Sequence, residues 1–274
     1  MERSGRSRHD LMERSGGAGH MTGALRMLEG DLLDYRRNWR ASAFSTFLNP
    51  VLFLAAMGVG LGSLVDRGQQ LGELSYMAFY ASGLLAALGM QTGVGDSTYP
   101  VMAGIKWVKT YHAALATPLA TRDIVLGRAC FVVLRVLAAS LAFVLAAALF
   151  GAFSLPDGLA AVPVVVLCGL AYATPVMAFT ASLEREGALA GLFRFGVVPM
   201  FLLSGTFFPL DQLPQLLQRV AQVVPLWHAI ELVRGLTLGI APTWAPGAHL
   251  AYLAAWLVIG LLLSFRVFRR RLVP

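Results

Sequence analysis

Charge is what this sequence lacks most. Only 14% of its 274 residues are Asp, Glu, Lys or Arg, against about 25% in soluble domains. With 57% hydrophobic residues and a mean hydropathy of +0.66, a soluble globular class is excluded and an integral membrane protein is indicated. Lysine is nearly missing: only Lys106 and Lys109 occur, and neither follows a glycine. A GxxxxGK[ST] loop is therefore absent, and the chain does not bind ATP through a Walker motif. The two cysteines, Cys130 and Cys168, both fall in apolar runs, which argues against a disulfide or metal site and predicts buried free thiols. The five histidines, at 9, 20, 112, 228 and 249, form no HExxH pair, and there is no CxxC. Acids within the apolar runs are also missing, apart from Asp96 at a rim. That counts against a proton-coupled secondary transporter, which needs buried acids to carry protons.

What is present is a series of apolar runs, each long enough to cross a bilayer, for which about 20 residues suffice. They are Ala43–Val65, Leu74–Gly95, Ile124–Phe153, Leu159–Ala181, Ala188–Phe208 and His249–Phe268. Lipid offers backbone amides no partner, so the runs must be helices, and the fold class is all-α with six transmembrane helices. Pro50, Pro163, Pro175 and Pro199 lie inside these runs and predict kinks. Gly58, Gly60 and Gly62 in the first run lack the strand–helix setting of a nucleotide loop and suit close helix packing.

Ahead of the first run, residues 1–24 read as a disordered basic tail without a signal peptide's apolar core. The repeat of "MERSG" at Met1 and Met12, followed by Met21, leaves three candidate start codons. Residues 25–40, "LRMLEGDLLDYRRNWR", space Leu25, Leu28, Leu32, Leu33, Tyr35 and Trp39 roughly as one helix face, with arginines between. This suits an interfacial helix against anionic headgroups, a helical lead-in to the first span, or both.

Orientation follows from the positive charges. With the N-terminus inside, eighteen lysines and arginines fall on the cytoplasmic side and three, Arg67, Arg219 and Arg234, on the other; Arg135 lies within a span. Both termini are then expected in the cytoplasm of a bacterial plasma membrane.

On that side, loop 96–123 is the longest. Met102 to Ala116 can form a helix with Trp107, Tyr111 and Ala114 or Leu115 on one face, ended by Pro118. Thr121 is a plausible N-cap for the next span, with Asp123 in its first turn. Taken alone, this aromatic helix fits either a docking surface for a soluble partner or an interfacial anchor. Arg128 and Arg135, seven apart, share a helix face. Arg128 can reach headgroups, whereas Arg135 lies about 10 Å deeper; it can meet an anionic substrate group or pair with Asp96 or Glu184.

On the opposite side, residues 204–235 read "SGTFFPLDQLPQLLQRVAQVVPLWHAIELVRG". The fifth span ends near Phe208. Asp211 or Gln212 can cap a helix with Pro214 in its first turn. Leu213, Leu216, Leu217, Val220 and Val224 give it an apolar face. Pro225 starts a second helix, which Gly235 stops. Each is too short to cross, so residues 209–235 read as a re-entrant hairpin. His228, Glu231 and Arg234 follow at i, i+3 spacing and can form a polar face. An enzyme would use His228 as a base oriented by Glu231, whereas a structural role would make them a hydrogen-bonded cap.

"ALATPLATRDIVLGR" resembles the Leu-x-Thr-Pro-Leu-x-x-x-(Asp/Glu)-Ile-x-x-Gly-(Lys/Arg) signature of type-2 ABC transporter permeases, through Leu115, Thr117, Pro118, Leu119, Asp123, Ile124, Gly127 and Arg128. The 204–235 stretch is similar to the same family's segment after its fifth span, through Ser204, Gly205, Phe208, Pro209, Leu213, Pro214, Pro225, Leu226, His228 and Arg234. "NPVLFLAAMGVGLGSLV" resembles the branch of nodulation lipooligosaccharide exporters and daunorubicin-resistance permeases, although Asn49 stands where that branch often has an acid.

The resemblance, over about residues 25–271, implies a permease half without its own ATPase. Two copies, or this chain and a related one, would form the path, and two separate ABC ATPase subunits would bind ATP and Mg. Lys106, Trp107, Lys109, Tyr111, Leu115, Thr117 and Pro118 would couple to them. Ser204, Gly205, Phe208, Pro209, Pro214, Pro225, His228, Glu231 and Arg234 would form the external gate, and Asp96, Arg128, Arg135 and Glu184 the charges of the inner lip. The expected function is export of a glycolipid, lipid-linked saccharide or lipophilic drug. The rival readings are a stand-alone membrane enzyme acting on lipids and the proton-coupled transporter.

Overall fold

The computed structural model describes residues 23–36, 51–52, 54–61 and 75–273, and these contain helices and no strand. The helices are α1 (23–36), α2 (Tyr76–Ser97), α3 (Thr110–Leu115), α4 (Thr121–Leu149), α5 (Leu155–Ser182), α6 (Gly187–Leu203), α7 (Gln215–Val223), α8 (Pro225–Leu238) and α9 (Pro246–Leu272). Past Ser97, the short helix Tyr99–Met102 and the π-turn Ala103–Trp107 continue α2, making a 32-residue apolar helix Tyr76–Trp107.

Among the described residues, four helices are long and apolar enough to cross a membrane: Tyr76–Trp107, α4, α5 and α9. The predicted first span and Asn49 lie largely outside the described residues; its described parts are 51–52 and the π-helical Leu54–Leu61. The predicted fifth span is the shorter apolar helix α6, which ends at Leu203 and not near Phe208, because Gly205 turns the chain at φ +84°.

Local signals explain the starts. The Ser75 side chain accepts from the Ala78 N–H at 3.2 Å to begin α2, and the Ser154 hydroxyl accepts from the Asp157 N–H at 3.3 Å to begin α5. At α4 the N-cap is Ala120, not Thr121: Asp123 sits at the third helical position, and its carboxylate accepts from the Ala120 N–H at 2.8 Å. An acid there satisfies an orphan donor and meets the positive end of the helix dipole. Pro225 and Pro246 open α8 and α9, where the missing N–H costs nothing. Pro163 and Pro175, expected to kink their span, lie within the continuous helix α5.

Helix α2 is the centre of the bundle, with Ala81, Leu85, Ala86, Ala87 and Met90 fully buried. It crosses α5 where Gly93 meets Gly169 so closely that a Cβ on Gly93 would lie 2.2 Å from the Gly169 carbonyl oxygen. Small residues let two backbones approach, and in lipid such packing replaces the hydrophobic drive between helices. Helix α9 packs on α5 in the same way at Gly260, which faces Thr174 and Pro175; Ser264 donates to the Thr174 carbonyl at 2.7 Å. In contrast, Leu134, Leu141 and Leu145 of α4 and Val258, Ile259 and Leu262 of α9 point outward.

Two expectations change in this context. Cys130 is exposed on α4 while Cys168 is buried, because an apolar run here has a face turned away from the bundle. Around Gly60, expected in a tight packing contact, no described residue lies within 4 Å of an added Cβ.

Candidate functional site

One end of the bundle carries Lys106, Arg122, Arg128, Arg185 and Arg269–Arg271, and its geometry is built around Asp96, near the end of α2. Arg135 pairs with the Asp96 carboxylate at 3.1 Å. Arg128, two turns away on α4, donates to the Asp96 carbonyl through Nε at 3.0 Å and Nη2 at 2.6 Å. Of the two partners open to Arg135, the tertiary fold selects Asp96; Glu184 instead receives Lys106 on its backbone carbonyl.

Arg128 has a second partner that the sequence did not single out: Asp31 of α1, at 3.3 Å. Burial pushes the Asp31 carboxyl above its ordinary range despite the attraction of Arg128. Helix α1 lies lengthwise on α4. Gly23 sits against Asp123, Met27 against Gly127, and Tyr35 packs edge-on to Phe131 at 6.0 Å with Arg135 4.8 Å over its ring. The four-residue spacing of 23, 27, 31 and 35 was present in the sequence, but its counterpart on α4 is 100 residues away, so no local signal identified it.

The loop after α2 differs from the single helix expected over 102–116. The chain breaks at Lys109, which adopts a left-handed φ of 57°, and α3 restarts at Thr110. That break turns Trp107 and Tyr111 to opposite sides. Trp107 is 52% exposed and stacks on Tyr99 at 6.5 Å. Tyr111 is 4% exposed, lies against Gly104, and contacts Phe268 of α9 at 6.0 Å; burial pushes its phenol up to about 12. Leu115 packs on the core, and Thr117 donates to the Ala114 carbonyl at 2.6 Å just before Pro118. Tyr111 and Leu115 therefore anchor the loop, whereas Trp107 and Val108 present it.

At the other end, α6 leads into a turn that α8 holds from behind. Ser204 donates to the Phe201 carbonyl and meets the Thr206 hydroxyl at 2.9 Å. The Arg234 Nη2 donates to the Gly205 carbonyl at 2.7 Å and its guanidinium lies 3.7 Å over the Phe79 ring of α2. Burial pulls the Arg234 guanidinium down to about 10, so it remains charged at neutral pH. Gly83 is needed there, since a Cβ would sit 2.9 Å from the Thr206 carbonyl oxygen.

Beyond Phe208 and Pro209, a 3₁₀ turn Leu210–Gln212 precedes Pro214, which occupies the N-cap of α7. Its apolar side is only partly covered: Ala221 and Val224 are buried, whereas Leu216 is 73% exposed and Val220 and Val223 are also exposed. Helix α8 runs through Gly235 and stops at Gly239, whose φ of 68° makes it the left-handed terminator. Gly235 faces Ile240 and Pro242 instead.

His228, Glu231 and Arg234 do not form one polar face. Glu231 accepts from the Thr243 N–H at 2.7 Å, and Arg234 faces α2. His228 Nε2 is 3.0 Å from the Gln222 carbonyl and its Nδ1 is 2.9 Å from His249 Nδ1. A carbonyl only accepts, so neutral His228 carries its proton on Nε2, and His249 donates from Nδ1. Tyr252 stacks on His228 at 3.9 Å, with Trp227 and Trp244 against the ring edges. Burial, reinforced by His249, pulls the His228 imidazole down to about 4. Both its nitrogens are occupied and neither meets Glu231, so the base–orienter pair of an enzyme is not assembled.

Residues 24–238, from α1 to the last residue of α8, match the ABC-2 type transporter family. Nodulation protein J of Rhizobium meliloti (strain 1021) is 32% identical over 247 residues, covering 88% of this chain and 93% of that protein. Nodulation protein J of Sinorhizobium fredii (strain NBRC 101917 / NGR234) is 33% identical over 246 residues, covering 87% and 92%. The Bradyrhizobium diazoefficiens protein of the same name is 30% identical over 246 residues, again covering 87% and 92%.

Proposed function

The chain belongs to the ABC-2 type transporter family, as a multi-pass permease subunit whose ATP hydrolysis takes place in a separate partner, and from that premise we propose how it assembles and what it exports. Two copies, or this chain with a related one, form the path between them. Two ATPase subunits holding ATP and Mg dock beneath. Both termini face the cytoplasm of a bacterial inner membrane. Six helices cross it, the first at 43–65 and the fifth being α6. Helices α7 and α8 form a re-entrant hairpin on the outside that gates release.

The cargo is an amphipathic or hydrophobic molecule: a glycolipid, a lipid-linked saccharide or a lipophilic drug. The relatives named for nodulation, with the sequence's likeness to lipooligosaccharide exporters, favour the first two.

One observation carries the coupling. Trp107 is half exposed at the end of a 32-residue helix that runs through the bundle's centre, and Tyr111 pins the loop beside it to α9. A push on Trp107 is thereby passed along α2 toward Gly83 and the gate turn. The test is reconstitution of the chain with its ATPase in liposomes. ATP-dependent movement of a fluorescent glycolipid is expected; movement by the chain alone, without ATP, sinks the proposal.

A further inference from the structure

A cleft of about 690 Å³ opens at the surface between the end of α2 and the first half of α6. Tyr99, Phe193, Phe195 and Val198 provide its apolar wall, and Arg194 is the one charged side chain among its lining residues. No carboxylate among the described residues is ion-paired with Arg194. Its position is also unusual. It lies seven residues into α6, about 10 Å from the helix start at 1.5 Å per residue, in an otherwise apolar run. The helix is widened there into a π-turn, Leu192–Val197. Such turns cost hydrogen-bond geometry and recur at functional sites. Phe195, beside the arginine, is 78% exposed, so the wall is open and not part of the packed core.

An apolar wall and one exposed guanidinium with no carboxylate partner among the described residues define the missing partner by charge and polarity. Building on the permease reading, we propose that this cleft binds the anionic head of the exported amphiphile as it leaves the inner leaflet. Arg194 holds a phosphate, carboxylate or sulfate oxygen, and Phe195 and Val198 hold the adjoining tail. The guanidinium fork suits such oxyanions, binding them through paired charge-assisted hydrogen bonds. The cleft thus selects charged amphiphiles over neutral ones of the same chain length.

The test uses the full complex of this chain with its ATPase, stripped of lipid and titrated with dioleoyl phosphatidylglycerol or dioleoyl phosphatidylcholine under native mass spectrometry. The intact complex should prefer phosphatidylglycerol. Arg194→Gln should lower that affinity about tenfold, the scale of one charge-assisted contact, and leave phosphatidylcholine unchanged. Arg194→Lys should retain part of the preference, and Arg270→Gln, an exposed arginine away from the cleft, should retain all of it. Equal loss in Arg270→Gln and Arg194→Gln, or no headgroup preference at all, overturns the site.

A second arm separates cargo from resident lipid. ATP-driven movement of headgroup-labelled phosphatidylglycerol should show a raised KM in Arg194→Gln. Binding without any such movement in an ATP-hydrolysing complex overturns the cargo assignment. A complex that does not hydrolyse ATP counts against the permease reading, while the binding arm still decides the cleft.

Discussion

Arg234 of α8 donates to the Gly205 carbonyl at 2.7 Å, tying together two segments 29 residues apart and clamping both onto Phe79 of α2. The turn between α6 and α7 is therefore held by a buried cation as well as by its own Ser204 and Thr206 hydroxyls. Removing the guanidinium leaves the Gly205 carbonyl without this donor and empties the space over Phe79. Arg234→Ala should cost about 2–3 kcal/mol, and Arg234→Lys should recover little, because an ammonium lacks the planar fork. Gly205→Ala, which forces a side chain into φ +84°, should cost about 1–2 kcal/mol. Thermal unfolding in detergent measures both; wild-type stability in Arg234→Ala would remove the clamp.

The Asp96–Arg135 pair at 3.1 Å should behave as a coupled unit. A cycle of Asp96→Asn, Arg135→Gln and the double variant should give a coupling of about 1–3 kcal/mol. Additive losses would mean that the two charges are independently solvated.

Trp107 and Tyr111 should separate in their effects. Tyr111→Ala opens a cavity against Gly104 and Phe268 and should destabilise by about 3 kcal/mol or more. Trp107→Ala removes an exposed ring, so it should leave thermal stability unchanged while uncoupling ATP hydrolysis from transport. Assays of ATPase activity and transport in the reconstituted complex decide this. Normal coupled turnover in Trp107→Ala would argue against the docking role.

The neutral His228 gives a pH dependence with a definite sign. Its folded value, about 4, lies below the ordinary 6.5, so between these values the unfolded chain binds the extra proton. Stability is full above pH 6.5 and falls as the pH drops toward 4. His228→Asn should flatten that part of the profile. An identical slope in wild type and variant would show that other groups carry it.

The sequence by itself determined the apolar helical class, the absence of a Walker motif, the family signatures and the start of α8 at Pro225. These follow from local causes: run length, motif spacing and proline in a first turn. The helix after Pro225 was legible, but its end was not, since Gly235 and Gly239 are equivalent until Ile240 and Pro242 pack on the first and the second takes the left-handed φ.

Only the tertiary structure decided what each charged or aromatic residue touches. Helical spacing placed His228, Glu231 and Arg234 near one another, yet a shift of three residues turns a helix by about 60°, enough to aim each at a different neighbour. Likewise, one left-handed residue, Lys109, sent Trp107 outward and Tyr111 inward. Asp31, Phe79 and His249 acquired their partners only when segments far apart in the chain were packed together. The energetics of such contacts depend on three-dimensional proximity, which periodicity along a single segment does not encode.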